Sequence, residues 1–245
     1  MRFSVGCRLP YTIVAPTTMI LNVEPMRGAQ QRVLRERFTV TSNVEAEVHE
    51  AATGNLYRRL LLQAGEVTIR YEGEVEMLPT VRDPQELGEV PIRHLPLDVL
   101  PYLYPSRYCQ SDQLGRFARR RFGELAPGHE RVTAICNWIF DNVDYLAGSS
   151  DPGTTAHDTF TLRAGVCRDF AHLGISFCRA LGIPARFVSA YGWKLEPQDF
   201  HAVFEAYVGG RWYLFDATRL CPVEPLGTTD DAAPWTTDAV SVARA

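Results

Sequence analysis

Apolar and polar positions change rhythm once along this chain of 245 residues. Up to about Met77 the alternation is short-ranged. Val67-Thr68-Ile69-Arg70-Tyr71-Glu72-Gly73-Glu74-Val75 alternates at period two, the pattern of a strand with one buried face. Arg32 to Val40 alternates imperfectly, and Thr53-Gly54-Asn55 is a turn signal between two such runs. This half predicts a β-sandwich of roughly seven short strands with no chemistry in it. Residues 78–101 carry Pro79, Pro84, Pro91, Pro96 and Pro101 without any period, and read as a linker. The expected organisation is a sandwich domain with its linker over 1–100 (linker about 78–101) and a second domain over 101–245.

Beyond Tyr104-Pro105-Ser106 the period becomes helical. Asp112 to Phe122 sets Leu114, Phe117, Ala118 and Phe122 against Arg116, Arg119, Arg120 and Arg121, which reads as a solvated face rather than a phosphate site. His129 to Val143 repeats Val132, Ile135, Cys136, Ile139 and Phe140 at helical spacing. A third helix, from about Val166 to Leu181, turns Phe170, Leu173, Phe177 and Leu181 inward and stops at Gly182 and Pro184. Strands follow: Arg186–Tyr191, then His201–Val208 and Arg211–Asp216 around Gly209-Gly210, a two-residue hairpin signal. The fold class is α+β, with an all-β domain followed by helices packed on an antiparallel sheet.

Composition narrows the function classes. A hydrophobic content of 46% is enough for a full core, and a net charge of −4 gives no electrostatic footprint for nucleic acid. No run of 18 apolar residues exists and the N-terminus lacks a signal-like apolar stretch, so no membrane partner and a cytoplasmic location are expected. The six cysteines, Cys7, Cys109, Cys136, Cys167, Cys178 and Cys221, show no CxxC pair and read as reduced thiols. Lys194 is the single lysine, so the chain offers almost no amine of its own.

Three segments carry candidate chemistry. Gly165-Val166-Cys167-Arg168-Asp169 puts a thiol at the first turn of a helix, where unpaired N–H groups favour thiolate and can hold an oxyanion. A two-residue turn at Gly209-Gly210 pairs positions that sum to 419, so His201 faces Thr218 and Val203 faces Asp216. Asp216 is then the diagonal neighbour of His201 on one sheet face, about 7–8 Å away at Cα. Thiol, imidazole and carboxylate together suit covalent acyl chemistry. Other polar residues have two readings each. Glu205 shares the His201 face, as a second carboxylate or an arginine partner. Asp169 complements the helix dipole. His157 and Asp158 line the cleft or a surface loop, and Tyr145 and Trp138 either cover the thiol or assist the oxyanion, or else fill the core. A zinc set of Cys167, His172, Cys178 and His201 lacks paired ligand spacing, and Cys178, three turns from Cys167, is too far to bridge it.

These residues resemble the transglutaminase-like superfamily, in its bacterial branch with an N-terminal β domain before a papain-like catalytic core. Gly165-Val166-Cys167-Arg168-Asp169-Phe170-Ala171 matches the nucleophile segment and Leu181-Gly182-Ile183-Pro184-Ala185-Arg186 the helix-to-strand turn. Phe200-His201-Ala202 matches the histidine strand and Asp216-Ala217-Thr218 the acid, with alanine where proline is usual. Gly227 to Ala233 only partly resembles the usual glycine-arginine-aspartate-rich continuation. The resemblance implies Cys167 as nucleophile, His201 as general acid/base and Asp216 as its orienter, with a peptide or protein substrate and no cofactor or metal. Hydrolysis is expected over transamidation, because no binding site for an accepting amine is visible. A non-catalytic binding module is the rival reading. The oligomeric state is open.

Overall fold

The computed structural model describes residues 1–42, 44–78 and 82–221 and the backbone of 239–244. Pro79 and the Gly227–Ala233 segment lie outside the described residues. The chain divides into two compact units: Met1–Thr80 with Ser189–Tyr191 and Val240–Arg244, and the remainder.

The first unit is built from two three-stranded antiparallel sheets. One orders β1 (Arg2–Ile13), β6 (Gly65–Met77) and β3 (Gln31–Val40) with β6 central; the other orders β2 (Thr17–Leu21), β5 (Leu56–Leu62) and β4 (Glu45–Glu50) with β5 central. Ile13, Val67 and Ile69 from the first sheet meet Leu21, Leu60 and Leu62 from the second in one apolar layer, the core of a sandwich. Among the described residues six strands form it, where the turn signals suggested about seven. The imperfect alternation of residues 32–40 has a physical cause. The β3–β6 register shifts between Val33 and Arg35, and an extra residue in a strand reverses which face later side chains take.

The proline-rich segment differs from its expected role as a linker. It forms three 3-10 turns, Pro84–Glu86, Ile92–His94 and Leu100–Leu103, and buries Leu87, Leu95 and Val99 in the second unit. Leu95 and Val99 cluster with Tyr207. Proline removes ladder donors and so prevents a regular element, but the apolar residues between the prolines still leave water.

Helix α1 (Ser111–Phe122) buries Leu114, Ala118 and Phe122 and leaves its arginines exposed, as the pattern predicts. Helix α2 (His129–Asn142) buries Val132, Ile135, Cys136, Trp138 and Ile139. Phe140, expected inward, is exposed, and the Arg219 guanidinium lies 3.8 Å from its ring centroid. A short helix, α3 (Ala156–Leu162), for which the sequence pattern gave no helical signal, is closed by a capping box between Thr155 and Asp158. Helix α4 (Cys167–Ala180) is buried on every side from Asp169 to Cys178, not on one face, because it packs against α1, α2 and α3 as well as the sheet.

The sheet beside it orders its strands β11 (Arg211–Phe215), β10 (Phe200–Val208), β9 (Ala185–Gly192) and β12 (Ala239–Arg244). Gly209 and Gly210 have φ of 58° and 77°, left-handed at both central positions as a type I′ turn requires. The register runs Val208↔Arg211 to Phe204↔Phe215, in the phase expected from the two-residue turn, and stops short of the expected Val203–Asp216 and His201–Thr218 pairs. No helix among the described residues is long and apolar enough to cross a membrane.

Glu205 on β10 is buried and accepts from Arg186 Nε on β9 at 2.7 Å, while the Arg186 guanidinium lies 4.0 Å from the Trp212 ring centroid. Removing one member of such a pair strands the other charge in the sheet. Arg186→Met is expected to destabilise by about 3–5 kcal/mol in urea unfolding. Adding Glu205→Leu is expected to restore most of the loss; a double variant no more stable than Arg186→Met shows that the pair is not coupled.

Candidate active site

A two-residue parallel bridge sets the first contact. Strand β7 (Asp144–Tyr145), leaving α2, pairs with β8 (Ala164–Gly165), so Tyr145 lies opposite Gly165, two residues before Cys167. Val166 is extended (φ −117°, ψ −179°) and acts as N-cap of α4. The buried Asp169 carboxylate accepts from the Val166 N–H at 2.8 Å through Oδ2, and from Arg168 through Oδ1. Arg168 also donates to Ser150 Oγ and the Asp151 carbonyl, anchoring the entry loop. Cys167 is therefore the first residue of a pinned helix terminus, and it is partly exposed.

His201 is the second residue of β10. Its Nε2 is 2.8 Å from Asp216 Oδ2, and both residues are buried. Ladder pairing ends at Phe215, so Asp216 reaches the imidazole one step after β11 stops. Thr218 donates its N–H and Oγ1 to the other carboxylate oxygen, Oδ1, at 2.8 and 2.7 Å. The carboxylate is held on both oxygens, which fixes the plane of the ring it faces.

The electrostatics favour an ion pair. Burial pulls the His201 imidazole down, but hydrogen bonding to Asp216, then to Cys167 and Cys221, outweighs it and pushes the ring up to about 12. Burial pushes the Cys167 thiol up, yet hydrogen bonding and charge from His201, the Ala202 N–H and the Tyr145 side chain bring it below the ordinary thiol value. Both shifts favour a proton on His201 and negative charge on Cys167. Cys109, Cys136 and Cys178 go the opposite way, raised by burial.

Tyr145 takes the thiol-covering side of its two readings. Its hydroxyl reaches the Cys167 side chain and the Cys167 N–H, and burial followed by the Cys167 charge raises its own pKa. Trp138 takes the other side and fills the core. Glu205 is spent on Arg186, His157 is exposed, and Asp158 caps α3. His172 is buried between Tyr108, stacked at 5.3 Å, and Phe187, with no partner for Nδ1. The zinc set drawn from sequence is not assembled. The potential ligands that the described residues bring within 4.8 Å of one another are His201, Asp216 and Cys221. Cys221, five residues past the acid and outside any periodic segment, carried no sequence signal.

A concavity of about 850 Å³ lies elsewhere, on β1, β3 and β6 of the first unit. It is lined by charges that pair with each other, such as Arg35–Glu74 at 2.6 Å, and holds none of these groups. Chemistry, not concavity, locates the candidate site.

Residues 116–217 match the family model described as the transglutaminase-like superfamily, and residues 1–98 match that of the bacterial transglutaminase N-terminal domain. The chain is similar to a solved structure from Cytophaga hutchinsonii, described as a proposed cysteine protease. Identity is 42%, with 100% of this chain and 81% of that one covered and a TM-score of 0.90. It is also 34% identical, over 126 residues, to an uncharacterised protein of Mycobacterium leprae, covering 48% of this chain and 44% of that protein. An uncharacterised protein of Mycobacterium bovis is 32% identical over 81 residues, 26% of its length. The chain therefore spans less than half of these curated relatives.

Two pH dependences follow from the buried groups. Iodoacetamide labelling of Cys167, followed by peptide mass spectrometry, is expected to be fast well below the free-thiol pKa of ~8.5. It is expected to shift toward that value in His201→Ala; identical profiles exclude the ion pair. Burial lowers the His172 imidazole from 6.5 to about 4. Below pH 6.5 the unfolded chain takes a proton that the folded chain refuses, so folding stability falls as pH drops from 6.5 toward 4. His129, also lowered by burial, acts in the same direction. In denaturation at stepped pH, His172→Phe is expected to lose part of that slope, and an unchanged slope removes His172 from the account.

Proposed function

The chain belongs to the transglutaminase-like superfamily, and on that premise we propose that it is a cysteine-dependent acyl-transfer enzyme that hydrolyses amide bonds of peptides or proteins through a thioester. The observation that carries this reading is the buried His201–Asp216 hydrogen bond of 2.8 Å beside a helix-terminal thiol whose pKa is lowered.

In the proposed sequence the Cys167 thiolate attacks the amide carbonyl carbon. The oxygen that gains charge accepts from the Cys167 N–H, taking the place of the Tyr145 hydroxyl oxygen to which that N–H donates in the free site. His201 gives its proton to the departing amine as the C–N bond breaks, leaving a Cys167 thioester and a neutral imidazole. Water then attacks the thioester and passes its proton to His201, and the thiolate leaves with the ion pair restored. Asp216, fixed by Thr218, keeps the ring in one tautomer and balances its charge.

Hydrolysis is favoured over transamidation on two grounds. Cys167 is partly exposed, which gives water access, and the Cytophaga hutchinsonii relative at 42% identity is described as a proposed cysteine protease.

The test is turnover of a peptide-amide library with and without a fluorescent primary amine. Cys167→Ala is expected to abolish turnover while the fold, read by circular dichroism, is retained. His201→Ala is expected to cost ~10²–10⁴ in kcat, and Asp216→Asn less, because orientation is a smaller contribution than proton transfer. Turnover retained in Cys167→Ala overturns the mechanism, and equal losses for the other two mean that their roles are misassigned. Incorporation of the amine in preference to hydrolysis moves the reading to transamidation.

A further inference from the structure

The second thiol at this site helps to hold the His201 proton but takes no part in the bond-making steps above. Cys221 is buried, and its Sγ, one nitrogen of His201 and one oxygen of Asp216 lie mutually within 4.8 Å. Cys221 is the residue that turns a hydrogen-bonded pair into a three-donor group.

We propose that His201, Asp216 and Cys221 form a binding site for a thiophilic divalent cation, Zn2+ in the first instance, and that its occupation takes His201 out of proton transfer. The donor set argues for this chemistry. A thiolate, an imidazole and a carboxylate suit a borderline-soft ion, whereas Mg2+ and Ca2+ take all-oxygen shells.

Size and support agree. Zinc bonds of about 2.0–2.3 Å at tetrahedral angles place ligand atoms roughly 3.4–3.6 Å apart. The existing His201–Asp216 separation of 2.8 Å and the 4.8 Å limit on the group bracket that range, so shifts of an ångström or less seat the ion. Asp216 already has its second oxygen held by Thr218, the outer support that ligating carboxylates use. Room for the sulfur depends on Gly192: a Cβ there would lie 2.5 Å from Cys221 Sγ and 3.5 Å from the His201 Cβ. Three protein ligands leave the fourth position to water, the arrangement of an open site.

The ion replaces protons. Binding releases the proton between His201 Nε2 and Asp216 and the proton of the Cys221 thiol to solvent, and forms Zn–N, Zn–O and Zn–S bonds. Affinity therefore rises with pH. With Nε2 on the metal, the proton that remains on Nδ1 belongs to a neutral imidazole rather than an imidazolium and is not given up to a leaving amine, so the occupied form is inactive. This last consequence rests on the proposed hydrolytic reading, whereas binding itself does not.

The test separates the two. The full chain is titrated with CoCl2 and with ZnCl2, as wild type, Cys221→Ser and Cys167→Ala. Expected are one equivalent bound by wild type and by Cys167→Ala, with a thiolate-to-cobalt charge-transfer band in both. Cys221→Ser is expected to lose the band and at least tenfold in Zn2+ affinity by competition with a chromogenic chelator. Gly192→Ala, which crowds the sulfur without removing a ligand, is expected to weaken Zn2+ in the same assay. Melting curves without metal establish that each variant is folded. A band that survives in Cys221→Ser, or vanishes in Cys167→Ala, overturns the proposal, because the metal would then sit on the nucleophile. Absence of binding to wild type overturns it outright. Failure of hydrolysis with cobalt binding intact counts against the proposed function alone.

Discussion

A buried imidazole and a buried carboxylate 2.8 Å apart each make the other's charge tolerable, and the candidate site depends on that bond. Alone in the interior, His201 would be driven neutral, because burial disfavours the cation. With Asp216 against it the ring keeps its proton, and only a protonated ring can draw the Cys167 thiol down to thiolate. Thr218 stands behind the carboxylate, and Tyr145 and the Ala202 N–H stand around the sulfur. Each contact is modest by itself; each acts on the same proton.

The surrounding packing serves this bond by keeping water from most of it. Helix α4 is a central element, walled by three helices and a sheet, and only its first residue, Cys167, combines a chemically active side chain with partial exposure. The price of a fully enclosed helix is that polar residues carried on it must be satisfied or neutral. Ser176 hydroxyl returns to the His172 carbonyl, Asp169 takes the N-cap and Arg168, and His172 is kept uncharged by burial between aromatic rings.

Much of the fold and the central pair of the site were legible as sequence, and the gaps have physical causes. Clean period-two alternation located β6, but the bulge in β3 blurred its pattern because a single extra residue exchanges the two faces. The prolines of residues 78–101 signalled the absence of regular structure correctly, yet gave no warning that Leu87, Leu95 and Val99 would be buried. A one-sided helix was expected for α4 because periodicity reports one partner surface, while this helix has partners all round. Phe140 satisfied the helical spacing of α2 and still faces outward, covered by Arg219 from a distant segment.

The sequence by itself determined what is local. Two glycines set a turn with left-handed φ at both positions; the turn set the register; and the register brought His201 to Asp216 across 15 positions. The turn fixes the phase of the pairing, and Asp216 follows it one step past the last ladder pair, where Thr218 holds its carboxylate. The tertiary structure alone decided the rest: Tyr145 reaching the thiol through a parallel bridge, Glu205 committed to Arg186, His172 enclosed, and Cys221 beside the imidazole. Those neighbours come from elements that meet only when separate surfaces bury each other. No spacing along the chain encodes which side chains then touch.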